Sequence, residues 1–215
     1  QKYSQIYLGL GTGDSLWRGL AVDTHTKQNN ADGFEGQLSL FMKNGATWIN
    51  EAYGMTPEGF KGSKVYYLQG GKSKEEAGVI FQKDENPIRI ETYAGNMKLI
   101  YAHENAGTKA EDYKAGDTHI ANATENSWIT MVTDRDNINT DNEDQVYEVL
   151  NTLAGKLYYE AYTRDEKDLK GEATIAEGLT SSSQTVKMKD LLFKKENGQG
   201  YVKSPATGTI NELNH

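Results

Sequence analysis

The chain consists of short apolar segments that alternate with polar, glycine-rich connections. Within most segments apolar and polar residues alternate with a period of two, as in Ile88-Arg89-Ile90-Glu91, which is typical of a strand with one buried face. This pattern predicts an all-β chain that turns often. The predicted strands are Ile6–Leu10, Leu16–Val22, Leu38–Met42, Trp48–Ala52, Val65–Leu68, Val79–Gln82, Ile88–Tyr93, Lys98–Ala102, Thr118–Ala123, Trp128–Thr133, Glu172–Ala176, Thr185–Met188 and Leu191–Lys194.

Two β architectures fit such closely spaced strands: a sandwich of hairpins and a coil of parallel strands. No βαβ alternation appears, and Asn44-Gly45 is a hairpin-type turn signal. Trp17, Trp48 and Trp128 each follow a small polar turn and begin an apolar segment. Repeated units of this kind favour the coil, because one turn of a solenoid cannot bury its apolar face alone. In the alternative, the three indoles lie at strand starts in a sandwich core.

Residues Asp141–Tyr159 are the exception to the β pattern. Their apolar residues form one helical stripe, at Val146, Val149, Leu150, Leu153 and Leu157. The preceding Thr140-Asp141-Asn142-Glu143 resembles a capping box. Because Gly155 weakens the last turns, we expect one amphipathic helix near residues 141–155, inserted into the β fold and followed by an extended segment over Lys156–Tyr162.

Charge and composition narrow the function classes. The 215 residues carry a net charge of −8 and include no cysteine. Such a surface repels phosphate backbones and anionic lipid, so we expect neither nucleic-acid binding nor membrane-surface binding. The absence of cysteine excludes disulfides, thiolate metal sites and cysteine nucleophiles. The apolar runs are far shorter than the roughly 20 residues of a spanning helix, so no membrane insertion of this segment is expected.

Two glycine-rich segments resemble nucleotide-binding loops but lack the required spacing. After Gly9-Leu10-Gly11-Thr12-Gly13 the pattern predicts a strand instead of a helix, so a turn is the better interpretation. Gly70-Gly71-Lys72-Ser73 would need a glycine at position 66, which is Tyr66. No cofactor is expected at either segment.

The remaining candidates for chemistry are acidic residues and histidines. The segment Asp134–Asn139 resembles the start of a calcium loop, but Asn139 replaces its glycine and Gln145 its bidentate glutamate. A solvated acidic loop is the preferred interpretation, and a looser calcium site is the alternative. That site would use Asp134, Asp136, Asp141 and Asp144. The histidines His25, His103, His119 and His215 have no metal-ligand spacing, and Ser181-Ser182-Ser183 is a loop tract without a nucleophile motif. We therefore predict no catalytic, cofactor-binding or metal-binding residues.

Several segments together resemble a known family of surface proteins. The segments are Val149–Tyr159, Ile175–Ser182, Asn44–Trp48, Gly70–Ser73, Ile100–Glu104 and Ala115–Thr118, spread over roughly residues 38–200. They resemble passenger-domain repeats of large autotransporter-type adhesins from bacteria with an outer membrane. The resemblance implies a right-handed parallel β-helix that is exported across two membranes and displayed on the cell surface. A lysine-rich tail at Lys187, Lys189, Lys194 and Lys195 departs from the family pattern.

The expectation that follows is one β-helix segment over residues 1–215, a fragment of a longer extracellular protein. It would act as a non-catalytic stalk or binding face of a cell-surface adhesin. Its partner would be a protein or glycan receptor on host or partner bacterial cells. The alternatives are a β-helical polysaccharide-degrading enzyme, for which only Asp134 and Asp136 with Arg135 offer a hint, and a glycan-binding module. Exposed tyrosines, from the pairs Tyr66-Tyr67 and Tyr158-Tyr159, would supply contacts with sugars or proteins.

Overall fold

The structure of the chain is a computed structural model. It describes residues 2–22, 34–54, 60, 62–103, 114–124, 126–133, 139, 141–142, 153, 156–159, 172–175, 184–187, 193–195 and 201–203.

The described residues form fifteen strands. In chain order these are β1 (Lys2–Leu10), β2 (Leu16–Arg18), β3 (Phe34–Met42), β4 (Thr47–Asn50), β5 (Ser63–Gln69), β6 (Gly78–Gln82), β7 (Ile88–Ala94), β8 (Asn96–Tyr101), β9 (Thr118–Ile120), β10 (Trp128–Thr133), β11 (Leu157–Tyr159), β12 (Glu172–Ile175), β13 (Gln184–Lys187), β14 (Phe193–Lys195) and β15 (Tyr201–Lys203).

Successive strands alternate between two sheets. The odd strands β1 to β11 form sheet A, and the even strands β2 to β12 form sheet B, which β13 extends at one end. The strands from β1 to β12 pair in parallel, whereas β13 joins β12 antiparallel and β14 pairs antiparallel with β15. We call each odd strand with the next even strand a rung. The described part of the chain is therefore nearly all-β with two parallel sheets, and a sandwich of hairpins does not describe β1 to β12.

The predicted strands agree closely with the observed ones up to Thr133. The ten predicted between Ile6 and Thr133 correspond one to one with β1 to β10. The second strand ends four residues earlier than predicted because Gly19 adopts a φ of 143°, which breaks the extended run after Arg18. The segment Leu157–Tyr159 is extended, as predicted beyond Gly155, and forms β11.

Most of the predicted helix, residues 143–152 and 154–155, lies outside the described residues. Leu153 is described, its backbone is helical and its side chain is buried in the core. The helix as a whole stays a prediction.

The Asn44-Gly45 turn joins two sheets instead of closing a hairpin, so this part of the sequence prediction is wrong. Both residues have positive φ angles, 56° and 78°, as a hairpin turn of this type requires. Their backbone amides, however, donate to Glu76 and Ala77 of the next rung at 2.7 and 2.9 Å. Hydrogen bonds to a neighbouring rung compensate for the missing antiparallel partner. A second Asn-Gly pair, Asn197-Gly198, lies between β14 and β15, which do pair antiparallel.

The core between the sheets is built from columns of side chains in register. One column in sheet B contains Trp17, Trp48, Ile80, Leu99 and Met131. A facing column in sheet A contains Leu8, Leu40, Leu68 and Tyr93. Parallel in-register pairing places corresponding residues of successive rungs about 4.8 Å apart, so each apolar side chain packs on the one above it.

All three tryptophans lie at the start of a strand after a turn, as predicted, but only two of them share a column of the core. Trp17 pairs with Trp48, and their rings stack with centroids 4.8 Å apart and planes inclined by 12°. Trp128 pairs with Asn96 and lies outside this column. The column of Trp17 and Trp48 is continued in β10 by Met131, three residues after Trp128. The half-buried ring of Trp128 is covered by the Lys74 ammonium at 3.4 Å. Trp128 therefore recurs at a strand start but not in the core column, and the parallel pairing inferred from the repeat is correct.

A polar column replaces apolar contacts at one edge of the core. Asn50 and Gln82 pair in register, are fully buried, and are joined by an Asn50 Nδ2 to Gln82 Oε1 hydrogen bond of 2.6 Å. Asn50 also donates to the Asn86 carbonyl at 2.8 Å and accepts from the Ser63 hydroxyl at 2.6 Å. Gln82 Nε2 reaches the Asp117 carbonyl at 3.2 Å. These bonds satisfy polar groups that would otherwise be buried without partners.

Replacing Asn50 by alanine should lower the free energy of unfolding by about 2–4 kcal/mol. The change removes three hydrogen bonds and leaves polar groups of Gln82, Ser63 and Asn86 buried without that partner, each at a cost of about 1–3 kcal/mol if water does not enter. Urea unfolding measures the loss. Gln37→Ala, which removes a half-exposed amide with a long contact of 3.5 Å, should change stability by less than about 0.5 kcal/mol. Equal effects of the two changes would show that the polar column is not structural.

Candidate functional site

The carboxyl-terminal parts of the first three strands of sheet A share an outer surface without charged side chains that is rich in aromatic and amide groups. We call this surface the neutral face. It is formed by Gln5, Tyr7, Gln37, Ser39, Phe41, Tyr67 and Gln69. Tyr7 is 66% exposed and Phe41 is 38% exposed, although both are large side chains in regular strands. In a chain with 25% charged residues, a surface without charge is a distinct feature.

Contacts within the neutral face hold its rings in place. The Tyr7 hydroxyl donates to Gln5 Oε1 at 2.7 Å, and the Tyr67 hydroxyl donates to Gln69 Oε1 at 2.6 Å. The Phe41 and Tyr67 rings lie 5.9 Å apart at an angle of 54°. Fixed aromatic rings beside amide groups offer a ligand both an apolar surface and hydrogen-bonding groups.

The neutral face ends where the sheet reaches β7. There Arg89 and Glu91 form an ion pair of 2.7 Å within the strand, and both side chains are about one-third exposed. The change from amide and aromatic residues to an ion pair sets one boundary of the candidate site.

Tyr66 and Tyr67 do not alternate between core and surface. Tyr66 is 49% exposed, which confirms that one ring of the pair points outward, but Tyr67 lies against Phe41 on the neutral face. The alternation slips by one residue here, again at Glu91-Thr92 within β7, and again at Ala121-Asn122 just after β9. This repeated bend brings Tyr67 to the surface. The side chains of Tyr158-Tyr159 lie outside the described part of the structure.

An open cleft of 640 Å³ adjoins the neutral face at the carboxyl ends of β1, β3 and β5. Its lining consists of Gly9, Leu10, Gly11, Phe41, Met42, Lys43, Asn44, Gln69, Gly70, Gly71, Lys72 and Glu76. The cleft forms because three parallel strands end at the same edge and the chain then turns toward sheet B. Its volume falls within the range of small-ligand sites.

Hydrogen bonds between rungs fix the walls of the cleft. Asn44 Nδ2 donates to the Gly11 carbonyl at 3.0 Å and so joins the first rung to the second. Gly71 and Asn96 exchange two backbone hydrogen bonds of 2.9 Å, and Asn96 Nδ2 adds a third to Gly71 at 3.0 Å. These bonds hold the backbone around the cleft in place.

The glycines around the cleft serve two purposes. A Cβ at Gly70 would lie 2.2 Å from the Asn96 carbonyl oxygen, and one at Gly71 would lie 2.0 Å from that of Glu76, so both glycines are required by close backbone packing. A Cβ at Gly9 would meet nothing within 4 Å. Gly9 therefore leaves open the space beside its register partner, Phe41.

Neither glycine-rich segment is a nucleotide-binding loop. Gly9 and Leu10 end β1, and a turn closed by a 2.9 Å hydrogen bond from the Ser15 amide to the Thr12 carbonyl leads into β2. Gly70-Gly71-Lys72-Ser73 likewise connects two strands. A phosphate loop would lead into a helix, so the interpretation of Gly9–Gly13 as a turn is confirmed.

The buried ionisable groups lie in the core. Burial raises the pKa of Tyr93 well above its usual value, and burial also raises the pKa of Tyr101, reinforced by the Asp117 carboxylate. Both hydroxyls have partners: Tyr93 donates to the carbonyls of Gly95 and Trp128, and Tyr101 donates to Thr118 Oγ1 at 3.0 Å. Burial lowers the pKa of Lys156, whose ammonium donates to the Ala115 carbonyl at 2.7 Å. None of these groups lines the cleft.

The residues considered for metal binding and catalysis are mostly outside the described part of the chain. These are Asp134, Arg135, Asp136, Asp144, His25, His215 and Ser181-Ser182-Ser183. Asp141 is exposed, and its backbone amide donates to Asn139 Oδ1 at 3.1 Å. Within the described ranges no three His, Asp or Glu side chains come together as a metal site would require, and no helix is long and apolar enough to span a bilayer.

Sequence reasoning missed the neutral face and the cleft. One signal was present: Gln5, Tyr7 and Gly9 alternate with Ile6, Leu8 and Leu10, so the outward side of β1 is uncharged. Without the strand register, the sequence did not show that Phe41, Tyr67 and Gln69 lie beside them.

Comparison of the chain with protein-family models, curated proteins and solved structures found no significant match in any of the three.

Proposed function

We propose that this chain is a non-catalytic segment of a bacterial cell-surface adhesin, built as a right-handed parallel β-helix. The neutral face would contact a receptor on a host or partner cell, and the stacked rungs would form a rigid support. The single observation that carries the proposal is the neutral face, an exposed aromatic and amide surface on a parallel two-sheet scaffold.

The scaffold suits a mechanical role. Six strands of sheet A in parallel register span about 24 Å at a strand spacing of about 4.8 Å, and every rung is hydrogen-bonded to its neighbours. A stack of this kind holds its surface residues at fixed spacing and transmits force along a ladder of hydrogen bonds. Right-handed winding is the expected hand, because crossovers between parallel strands of one sheet are right-handed in about 98% of cases.

The composition of the neutral face favours attachment to glycans or proteins. Tyrosine and phenylalanine bury much apolar area with few rotatable bonds, and glutamine side chains both donate and accept hydrogen bonds. The location proposed is extracellular, on the surface of a cell with an outer membrane. This location rests on the resemblance of Val149–Tyr159 and the other quoted segments to autotransporter passenger repeats.

An adhesion assay tests the role of the neutral face. Beads coated with the purified chain should attach to host epithelial cells or to partner bacteria, and the double change Tyr7→Ala with Phe41→Ala should reduce attachment about tenfold or more. Each exposed aromatic contact at the centre of an interface contributes about 1 kcal/mol or more, so the loss of two is measurable. The readout is the number of beads retained per cell after washing.

Tyr53→Ala is the matched control, because Tyr53 is 69% exposed and follows β4 of sheet B. It should leave attachment unchanged. Undiminished attachment of the double variant would show that the neutral face is not the contact surface. Release of sugar reducing ends from polysaccharides by the wild-type chain would instead favour the catalytic alternative.

A further inference from the structure

The cleft beside the neutral face is positively charged although the chain as a whole is acidic. Two lysines, Lys43 and Lys72, and one glutamate, Glu76, are the charged residues of its lining. The chain carries a net charge of −8. A local excess of positive charge in an acidic protein attracts an anionic group to one place.

The two cleft lysines have no charged or aromatic partner in the described part of the chain, whereas three other lysines do. Lys74 covers the Trp128 ring, Lys83 lies 5.1 Å from the Phe81 ring centroid, and Lys156 approaches Asp117 at 3.9 Å. Lys43 and Lys72 make no ion pair in the described part of the chain, and both are exposed. Their ammonium groups are therefore available to a ligand carboxylate.

Phe41 connects the cleft with the neutral face. Its ring is partly exposed, and the register partner on the β1 side is Gly9, where a side chain would meet open space. Because β1 is the edge strand of sheet A, the space on the Gly9 side of the Phe41 ring is open to a ring-shaped ligand. Gln69, the register partner of Phe41 on the β5 side, and Asn44 line the same cleft and supply amide groups to it.

We propose that the cleft binds a carboxylated sugar residue of a glycan. The apolar C–H face of the sugar ring stacks on Phe41, its hydroxyls bond to the amides of Gln69 and Asn44, and its carboxylate lies between Lys43 and Lys72. A neutral sugar could stack on the ring and bond to the amide groups, but it would form no ion pair with either ammonium group. This assignment rests on the proposed adhesive function and specifies its ligand class.

Binding of defined probes to the intact chain tests the assignment. Trigalacturonate and sialyllactose represent carboxylated glycans, and a neutral galactose trimer and lactose are their uncharged counterparts. Isothermal calorimetry should give an affinity about twentyfold higher for the carboxylated probes, and this affinity should fall as sodium chloride is raised. Lys43→Gln and Lys72→Gln should each weaken binding of the carboxylated probes about fivefold and leave the neutral probes unaffected. Lys98→Gln, on β8 of sheet B, is the charge-matched control and should change nothing.

Gly9→Ile separates loss of the site from loss of the fold. A Cβ added at Gly9 meets no atom within 4 Å, and a β-branched residue suits a strand, so the melting temperature should stay the same or rise. The isoleucine would fill the space beside Phe41 and should abolish binding of the carboxylated probes.

Three results would overturn the assignment. Equal affinity for carboxylated and neutral probes would overturn the ligand class but would not contradict the proposed adhesive function. Failure of every sugar probe to bind, with bead attachment to cells preserved, would point to a protein receptor. Binding of an oligo-aspartate peptide as tight as that of trigalacturonate would show that the cleft recognises acidic peptide and not sugar.

Discussion

Replacing Trp48 by alanine should lower the free energy of unfolding by about 3–5 kcal/mol, as is typical of large-to-small changes in a packed core. The indole is fully buried, stacks on Trp17 and donates its Nε1 hydrogen to the Gly19 carbonyl at 2.9 Å. The change therefore removes core volume, a ring stack and a hydrogen bond that joins two rungs. Urea denaturation followed by circular dichroism measures the loss.

The loss of protection from hydrogen exchange caused by Trp48→Ala should be confined mainly to the neighbouring rungs. Exchange of backbone amide hydrogens should increase most in β2, β4 and β6, the strands that pair in series through Trp48. The smallest increase is expected in β10. Trp128→Ala, whose ring is half-buried beneath Lys74, should cost clearly less than Trp48→Ala. A uniform loss of protection in all strands would contradict the expectation that each rung depends mainly on its neighbours.

Raising the pH above about 10 should destabilise the fold steeply, because Tyr93 and Tyr101 are buried and their pKa values are raised. Below about pH 10 both hydroxyls are protonated in the folded and the unfolded chain, so their contribution to stability does not vary with pH. Above that pH the unfolded chain releases the protons and the folded chain retains them, so stability falls. The slope is about 1.4 kcal/mol per pH unit for each tyrosine until the pH reaches its folded pKa. Urea unfolding between pH 9 and pH 11.5 measures it.

Phenylalanine variants isolate the two tyrosines. Tyr93→Phe and Tyr101→Phe should each remove about half of the alkaline slope, whereas Tyr53→Phe, at an exposed ring, should leave it as in the wild type. The lowered pKa of Lys156 has the opposite effect, because it makes the free energy of unfolding rise with pH. This effect ends at about pH 10.4, where the unfolded lysine also loses its proton. A slope that survives both phenylalanine changes would exclude these hydroxyls as its cause.

Local sequence pattern predicted the strands well, because alternation with a period of two reports directly which face of a strand is buried. Val65, Ile88 and Ile90 are buried as their alternation required. The same pattern did not predict that the alternation of buried and exposed residues shifts by one at Tyr66-Tyr67. The bend that causes this shift runs through three stacked strands and leaves no local signature in the sequence. The helix predicted over residues 141–155 and the calcium alternative lie mainly outside the described residues and stay predictions.

The sequence by itself determined the all-β class, the positions of β1 to β10 and the turns at the glycine-rich segments. These features follow from the side chains and the backbone freedom of consecutive residues. Register was decided only in the tertiary structure, where hydrogen bonding between residues about 30 positions apart aligns Trp17 with Trp48 and Gly9 with Phe41. The neutral face and the cleft depend on that register. They became visible only when Tyr7, Phe41 and Tyr67 were placed on one surface and three strand ends met at one edge.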